Sequence, residues 1–259
     1  MHRQLLDIYI QEKDWEKAVD AARKLEVSAR RNYQREIANY LCEIATTERV
    51  HGRNEAAQAQ LSQALEANRK CVRANLLRGE WLARDGRHDE ALEAWKSIEA
   101  QDPQYFGLVA EGMLESYKVL GRLGEGLTLL RGLQHRYPGL DLLNVVYQAS
   151  AEHEGDEAAW RLVRDEVRRN PTLVGLDRLI DAELVRAPAE RRQDLQLMKD
   201  LVHSHAQALS VYLCGNCGFK ARQFYWQCPA CGGWETFPPR RTAELESSGK
   251  HLARMQIGQ

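Results

Sequence analysis

The sequence predicts an all-α protein in which pairs of helices stack into a superhelix, followed by a small ribbon built around four cysteines. Three observations support this prediction. A pattern of small, large and proline residues recurs about every 34 residues, helical apolar spacing continues beyond it, and two CxxC pairs follow near the C-terminus. The predicted boundaries are 1–209 for a solenoid of five to six helix pairs, 210–238 for the ribbon and 239–259 for a flexible tail.

The clearest repeat is the segment GEWLARDGRHDEALEAWKSIEAQDP, which follows much of the tetratricopeptide pattern. A small residue in the second helix lets the first helix approach, a large residue four positions later fills the gap, and proline ends the helix. The key positions in this segment are Gly79, Gly86, Ala91, Trp95 and Pro103. The spacing recurs in two further sets: Gly126, Leu130 and Pro138, then Ala159, Val163 and Pro171.

Two weaker copies precede these repeats, and neither ends in proline. They contain Tyr9, Ala18 and Ala22, then Gly52, Ala57 and Leu61. After residue 172 the helical spacing continues around Pro188, which predicts a sixth, degenerate pair. The apolar residues of this pair that have helical spacing are Leu176, Leu179, Ile180, Leu195, Met198, Leu201 and Val202.

Both ends of a helical solenoid expose apolar surface unless something covers them. The ribbon is therefore expected to cap the C-terminal end of the solenoid. The first helix pair begins almost at Met1, with no polar capping helix before it, which predicts that upstream sequence is missing.

The overall charge is nearly balanced, with 36 basic and 37 acidic side chains, so no general field favours nucleic acid or an anionic membrane. No apolar run approaches the roughly 18 residues of a membrane span, and this chain alone is expected to be soluble. Cys42 and Cys71 have no CxxC partner and are expected to be buried apolar residues without chemistry. The cysteine pattern predicts a reducing, cytoplasmic environment.

The segment CGNCGFKARQFYWQCPACGGW carries the strongest motif in the sequence. Its cysteines, Cys214, Cys217, Cys228 and Cys231, are predicted to hold one iron or zinc ion, because modules of under roughly 40 residues seldom fold without a metal, a disulfide or a partner. Gly218 and Gly232, each directly after a second cysteine, suit a left-handed backbone. Four thiolates leave no open coordination position, which predicts a structural role.

Two alternatives compete with this interpretation of the ribbon. A dithiol redox pair needs a CxxC at a helix N-terminus beside a strand, and the flanking residues do not offer that context. Base stacking is suggested by aromatic residues that interleave with basic ones, but packing of the rings is the favoured explanation. The residues concerned are Phe219, Phe224, Tyr225, Trp226, Trp234 and Phe237, with Lys220, Arg222, Arg240 and Arg241. No catalytic motif is present, which predicts that the protein is not an enzyme.

Tetratricopeptide helices that end in YLCGNCGFKARQFYWQCPACGGWETFPP resemble the lipopolysaccharide assembly protein B family of Gram-negative bacteria. The rubredoxin-type ligands of that family correspond to Cys214, Cys217, Cys228 and Cys231. The resemblance implies a non-enzymatic adaptor at the cytoplasmic face of the inner membrane, which promotes degradation of the deacetylase LpxC by the membrane protease FtsH and so limits lipopolysaccharide synthesis. It also implies other lipopolysaccharide assembly proteins as partners, and an N-terminal membrane anchor that this chain lacks.

Several points stay open from the sequence. A nucleic-acid-binding ribbon, similar to that of RadA-like repair proteins, and a rubredoxin-like electron carrier are the alternative functions, and nucleic acid is not the favoured partner. The sequence does not decide between iron and zinc, and it leaves homodimer formation open.

Overall fold

The computed structural model describes residues 2–29, 32–137, 142–209 and 211–239. Pro138, Arg240, Arg241 and the predicted tail from residue 240 onward lie outside the described residues. Within them the chain forms thirteen α-helices, one short 3₁₀ helix and two short strands, so the predicted all-α class with a small C-terminal ribbon is confirmed.

The chain divides into two compact units, residues 1–105 and 106–259. The first unit contains three helix pairs and a short closing helix. These helices are α1 (His2–Glu12), α2 (Trp15–Ala29), α3 (Gln34–Val50), α4 (Asn54–Ala67), α5 (Val72–Arg84), α6 (His88–Lys96) and α7 (Ile98–Gln101), with the 3₁₀ helix at Pro103–Tyr105.

The second unit contains three more pairs and the ribbon. Its elements are α8 (Phe106–Val119), α9 (Leu123–Arg136), α10 (Leu143–Glu154), α11 (Asp156–Arg169), α12 (Leu173–Arg186), α13 (Ala189–Leu209), β1 (Tyr212–Leu213) and β2 (Lys220–Ala221). The break between α12 and α13 falls at Pro188, where the sequence predicts it.

Close approach between the helices of a pair depends on the small residues of the repeat. A Cβ atom on Gly79 of α5 would lie 2.3 Å from Nε1 of Trp95 on α6, so only glycine fits there. The Trp95 indole N–H donates a hydrogen bond to the Leu76 carbonyl at 3.3 Å, and its side chain is buried. In the second unit, a Cβ atom on Gly126 of α9 would lie 2.7 Å from Cδ2 of Tyr117 on α8. At Gly126 the small residue of the second helix admits the first helix, as the repeat pattern predicts, whereas at Gly79 the small residue lies on the first helix.

Glycines with left-handed backbone conformations form the turns between the helices of four pairs. Gly52, Gly86, Gly121 and Gly155 have φ values of 77°, 79°, 69° and 90°. At Gly86, the backbone N–H donates to Ala83 and the next residue donates to Leu82, which satisfies carbonyls at the end of α5. The glycines recur at the repeat interval of about 34 residues.

The predicted last helix pair is present as α12 and α13, but not all of its apolar positions are covered. Ile180 is buried, whereas Leu176, Met198 and Leu201 are 37%, 54% and 59% exposed. The apolar spacing predicts the two helices correctly, but it does not show which of their apolar residues are covered by a neighbouring element.

Ion pairs contribute to the contact between α12 and α13. The Lys199 ammonium lies 2.9 Å from Oδ1 of Asp177 and 2.6 Å from Oδ2 of Asp181. His203 Nδ1 lies 3.1 Å from the other oxygen of Asp177. The last pair is therefore joined by largely buried charges as well as by apolar packing.

Candidate metal centre

The first CxxC pair lies on the turn that follows β1. β1 and β2 pair antiparallel, with Tyr212 opposite Ala221 and Leu213 opposite Lys220. The Gly218 N–H donates to the Cys214 carbonyl at 3.0 Å, and φ of Gly218 is 76°. The turn therefore folds back on itself and directs both cysteines to one side, as the position of the glycine predicts.

The second CxxC pair repeats this geometry. The Gly232 N–H donates to the Cys228 carbonyl at 2.9 Å, φ of Gly232 is 69°, and an antiparallel bridge between Gln227 and Trp234 closes the turn. Each cysteine pair thus has its own small hairpin. Gly215 N–H donates to the Thr236 carbonyl at 2.7 Å and joins the two turns.

The two turns bring the four predicted cysteines together. The sulfur atoms of Cys214, Cys217, Cys228 and Cys231 all lie within 4.8 Å of one another. The Cys214 and Cys231 sulfurs are 3.9 Å apart, and those of Cys217 and Cys228 are 3.7 Å apart. A tetrahedral site with metal–sulfur bonds of about 2.3 Å requires sulfur separations of about 3.8 Å. The cluster therefore fits a four-thiolate metal site of the rubredoxin type.

The four cysteine residues differ in their exposure to solvent. Cys214 and Cys228 are buried and form a small core with Phe237. Cys217 and Cys231, the second cysteine of each pair, are exposed. The site therefore has a covered side and a side that faces solvent.

Hydrogen bonds to sulfur favour thiolates at two positions. Burial raises the pKa of Cys214, but hydrogen bonds with the Thr236 hydroxyl and with the backbone N–H groups of Cys217 and Asn216 outweigh burial and lower the pKa to about 6. The pKa of Cys231 is lowered by the Asn216 side-chain amide and by the Gly233 N–H. The backbone N–H groups and the Asn216 amide donate to sulfur and stabilise its negative charge, which metal binding requires.

Cys217 behaves in the opposite way. The Phe219 N–H lowers its pKa, but partial burial and the three neighbouring sulfurs raise it to about 12. Four thiolates at these separations repel one another, so a divalent cation is what allows all four to ionise together.

Most aromatic rings of the ribbon are engaged in packing. Phe224 contacts the Trp226 ring edge-on at 5.0 Å and Tyr212 at 5.9 Å, and Tyr225 lies 6.0 Å from Phe237. Phe219 is 39% exposed. The arrangement agrees with the expectation that these rings cover the hairpins.

The remaining cysteines lie in contact inside the first unit. Cys42 is on α3, and Cys71 immediately precedes α5. Both are buried, and their sulfurs are 3.9 Å apart. The hydrogen bond with Cys71 and burial raise the pKa of Cys42 well above its ordinary value, so this thiol stays protonated and unreactive.

Two residues at the cysteine cluster were not singled out from the sequence. The Asn216 amide nitrogen lies 3.3 Å from the Cys231 sulfur, and the Thr236 hydroxyl lies 3.3 Å from the Cys214 sulfur. Asn216 is inside the first CxxC, which is a signal that it lies near the site. Nothing in the sequence shows that it reaches a sulfur of the other pair.

The fold and the site together define a tetratricopeptide-repeat protein with a rubredoxin-type ribbon. Residues 42–106 match a family model described as tetratricopeptide repeat, and residues 212–239 match one described as rubredoxin metal binding domain. The second match begins and ends within two residues of the predicted ribbon.

The chain is similar to proteins named lipopolysaccharide assembly protein B. The protein of Escherichia coli strain K12 is 27% identical over 240 residues, which are 92% of this chain and 62% of the relative. The protein of Haemophilus influenzae is 27% identical over 242 residues, 92% of this chain and 60% of the relative. The predicted resemblance is confirmed, and this chain spans less than two thirds of the length of these relatives.

A solved structure titled for Pseudomonas aeruginosa pilF covers 80% of this chain and 90% of its own, at 15% identity and a TM-score of 0.44, which is too low to support an argument. In the part of the chain that the structure describes, no helix is both long and apolar enough to cross a membrane.

Proposed function

We propose that this protein is a non-enzymatic adaptor in lipopolysaccharide assembly, in which the helical repeats bind partner proteins and a metal ion maintains the ribbon. The observation that carries this proposal is a four-sulfur cluster that follows helical repeats in the sequence, in a chain similar over 92% of its length to lipopolysaccharide assembly protein B. Four thiolates complete a tetrahedral coordination sphere, so a bound ion has no position left for substrate or water. This argues for a structural ion and against catalysis at the ribbon.

The proposed ligands are Cys214, Cys217, Cys228 and Cys231, and the ion is iron or zinc, since both accept four thiolates. When bound, the ion supplies the positive charge that holds the two turns together. The residues of the chain do the rest: Gly218 and Gly232 set the turns, and Phe237 covers the buried sulfurs.

The proposed partner surface is formed by the first helices of the pairs, because stacked pairs present an extended surface suited to helical or extended peptides. In the second unit, α8 exposes Glu111 and Glu115, and the Lys118 ammonium pairs with Glu152 of α10 at 2.5 Å. In the first unit, Arg49 of α3 pairs with Asp85 at 2.5 Å, directly after α5. Each unit therefore presents a charged surface on its first helices.

The resemblance supports a more specific proposal. The adaptor acts at the cytoplasmic face of the inner membrane, where it binds the deacetylase LpxC and the membrane protease FtsH and promotes degradation of LpxC. Other lipopolysaccharide assembly proteins and a second copy of the chain are further proposed partners.

The test is affinity capture from a Gram-negative membrane lysate, followed by mass spectrometry. We expect FtsH and LpxC with the wild-type chain and a loss of at least about tenfold in LpxC with the double variant Glu111→Lys and Glu115→Lys, a range typical of interface hot spots. Glu55→Lys with Glu66→Lys makes the same charge change on the exposed surface of α4, a second helix, and should leave capture unchanged.

Three results would contradict the proposal. Equal loss with both double variants would exclude the first helices as the specific surface. Recovery of mainly nucleic acid, with gel shifts at physiological salt, would support the ribbon as a nucleic-acid binder instead. Reversible redox spectra from bound iron would support an electron carrier.

A further inference from the structure

The two exposed cysteines of the cluster lie on the side from which solvent and competing ligands approach. Cys217 and Cys231 are exposed, while Cys214 and Cys228 are packed against Phe237. A metal ion leaves a thiolate site by losing ligands one at a time to an incoming ligand, and an exposed thiolate is the one that such a ligand reaches. A competing ligand is therefore expected to reach the metal from the side of Cys217 and Cys231.

Asn216 makes a contact on this exposed side that connects the two cysteine pairs. Its side-chain amide donates to the Cys231 sulfur at 3.3 Å, although Asn216 belongs to the first pair and Cys231 to the second, fifteen positions later. Asparagine is short, so this contact fixes the distance between the two turns at the point where they face solvent. Residues that hydrogen-bond to metal ligands orient them, and their loss typically costs about 10–100-fold in metal affinity.

Thr236 provides an internal comparison on the covered side. Its hydroxyl lies 3.3 Å from the Cys214 sulfur, the same separation as between Asn216 and Cys231. Cys214 is held in place by burial as well, and its own backbone N–H donates to the Phe219 carbonyl at 2.9 Å. Loss of the Thr236 hydroxyl therefore leaves Cys214 positioned by its packing.

We propose that Asn216 is a positioning residue that holds Cys231 in the metal site and controls how fast the ion is released through the Cys217 and Cys231 side. This inference rests on the proposed four-thiolate site. Beyond that site, the inference states that the bonds from the metal to Cys217 and Cys231 break first and that Asn216 slows this step.

The experiment measures zinc release from the full chain loaded with Zn²⁺, after addition of excess 4-(2-pyridylazo)resorcinol. We expect Asn216→Ala to release zinc about tenfold faster than wild type, in the range for such supporting residues. Asn216→Asp, which keeps the size of the side chain but replaces the donor with a carboxylate, should release zinc at least as fast. Gln223→Ala, which removes an exposed amide of the ribbon that bonds the Tyr225 hydroxyl and no sulfur, is the matched control and should stay within about twofold of wild type.

Two further measurements separate this role from general loosening of the ribbon. In the Co²⁺ form, loss of the Asn216 amide donor should shift the sulfur-to-cobalt charge-transfer band to longer wavelength, since a hydrogen bond stabilises electrons on sulfur. During release, alkylation followed by mass spectrometry should modify Cys217 and Cys231 before Cys214 and Cys228.

The outcomes distinguish the two proposals. If wild-type protein retains no zinc, iron or cobalt, the metal site is wrong and this inference falls with it. If the metal is retained but Asn216→Ala releases it at the wild-type rate, or Gln223→Ala accelerates release as much as Asn216→Ala does, only the role of Asn216 is overturned. First alkylation at Cys214 would also overturn it.

Discussion

The helical repeats and the ribbon solve the problem of folding in different ways. In the repeats, large side chains such as Trp95, Phe106 and Leu130 are almost fully buried, and helix packs on helix over many residues. In the ribbon, the described core cluster is formed by Cys214, Cys228 and Phe237, and two of those three residues are candidate metal ligands. The stability of the ribbon therefore depends on a bound metal ion, whereas the stability of the repeats depends on close packing of apolar side chains.

The largest expected effect comes from metal removal, because the ribbon should unfold while the helical repeats stay folded. A structural zinc site supplies roughly 10–16 kcal/mol of binding free energy that is realised only in the folded form. Chelation, or the double variant Cys214→Ser and Cys217→Ser, should abolish metal content and amide-exchange protection in residues 211–239, while α1–α11 keep their helical circular dichroism. Cys71→Ala is the control and should keep the metal.

The same experiment tests the predicted capping of the solenoid by the ribbon. If the ribbon covers the end of the helices, exchange in α12 and α13 should accelerate when the metal is removed. Unchanged exchange in these helices would leave the ribbon a separate module and contradict its role as a cap.

The next effect concerns shape in the repeats. Gly79→Ala places a Cβ atom 2.3 Å from the Trp95 indole and should destabilise the fold by about 1–3 kcal/mol, the usual cost of overpacking a core. Gly132 of α9 is exposed with nothing within 4 Å of an added Cβ, so Gly132→Ala should stabilise by about 0.5–1 kcal/mol. Urea unfolding of both variants measures the difference, and equal effects would show that the repeat glycine is not a packing requirement.

The smallest effect concerns charge on the helices. Burial raises the pKa of Glu80, although Arg84 opposes the shift, so the folded state favours the protonated carboxyl. The ionised group therefore opposes folding at neutral pH, and this penalty disappears as pH falls below the unfolded-state pKa of about 4.3. Glu80→Gln should raise the melting temperature at pH 7.5 and have no effect at pH 3.5. The exposed Glu66→Gln is the control, and a pH-independent difference would contradict the assignment.

The sequence predicts best where one backbone conformation or one close contact has few chemical solutions. Gly218 and Gly232 adopt left-handed backbone conformations that favour glycine, and Gly79 leaves space for Trp95. The glycines in the sequence therefore mark these positions. The four-sulfur cluster follows from two such turns, since each CxxC turn directs both of its cysteines the same way.

The sequence predicts less well where several partners would satisfy the same pattern. Leu201 has the spacing of a core residue and is exposed, because helical periodicity does not say whether a neighbouring element covers that face. The contact of Asn216 with Cys231 depends on how two turns are set side by side. That arrangement arises from the path of the whole ribbon and leaves no local signature.

The glycine turns between paired helices have similar backbone conformations, so one turn can replace another. Gly52 and Gly86 have nearly the same backbone angle, so excision of residues 53–86 would connect α3 to α6 through an unaltered bend. Stability in stacked repeats is close to a sum over neighbours. A shortened version of this protein can therefore be made in whole-repeat steps, which would show how many helix pairs a partner actually spans.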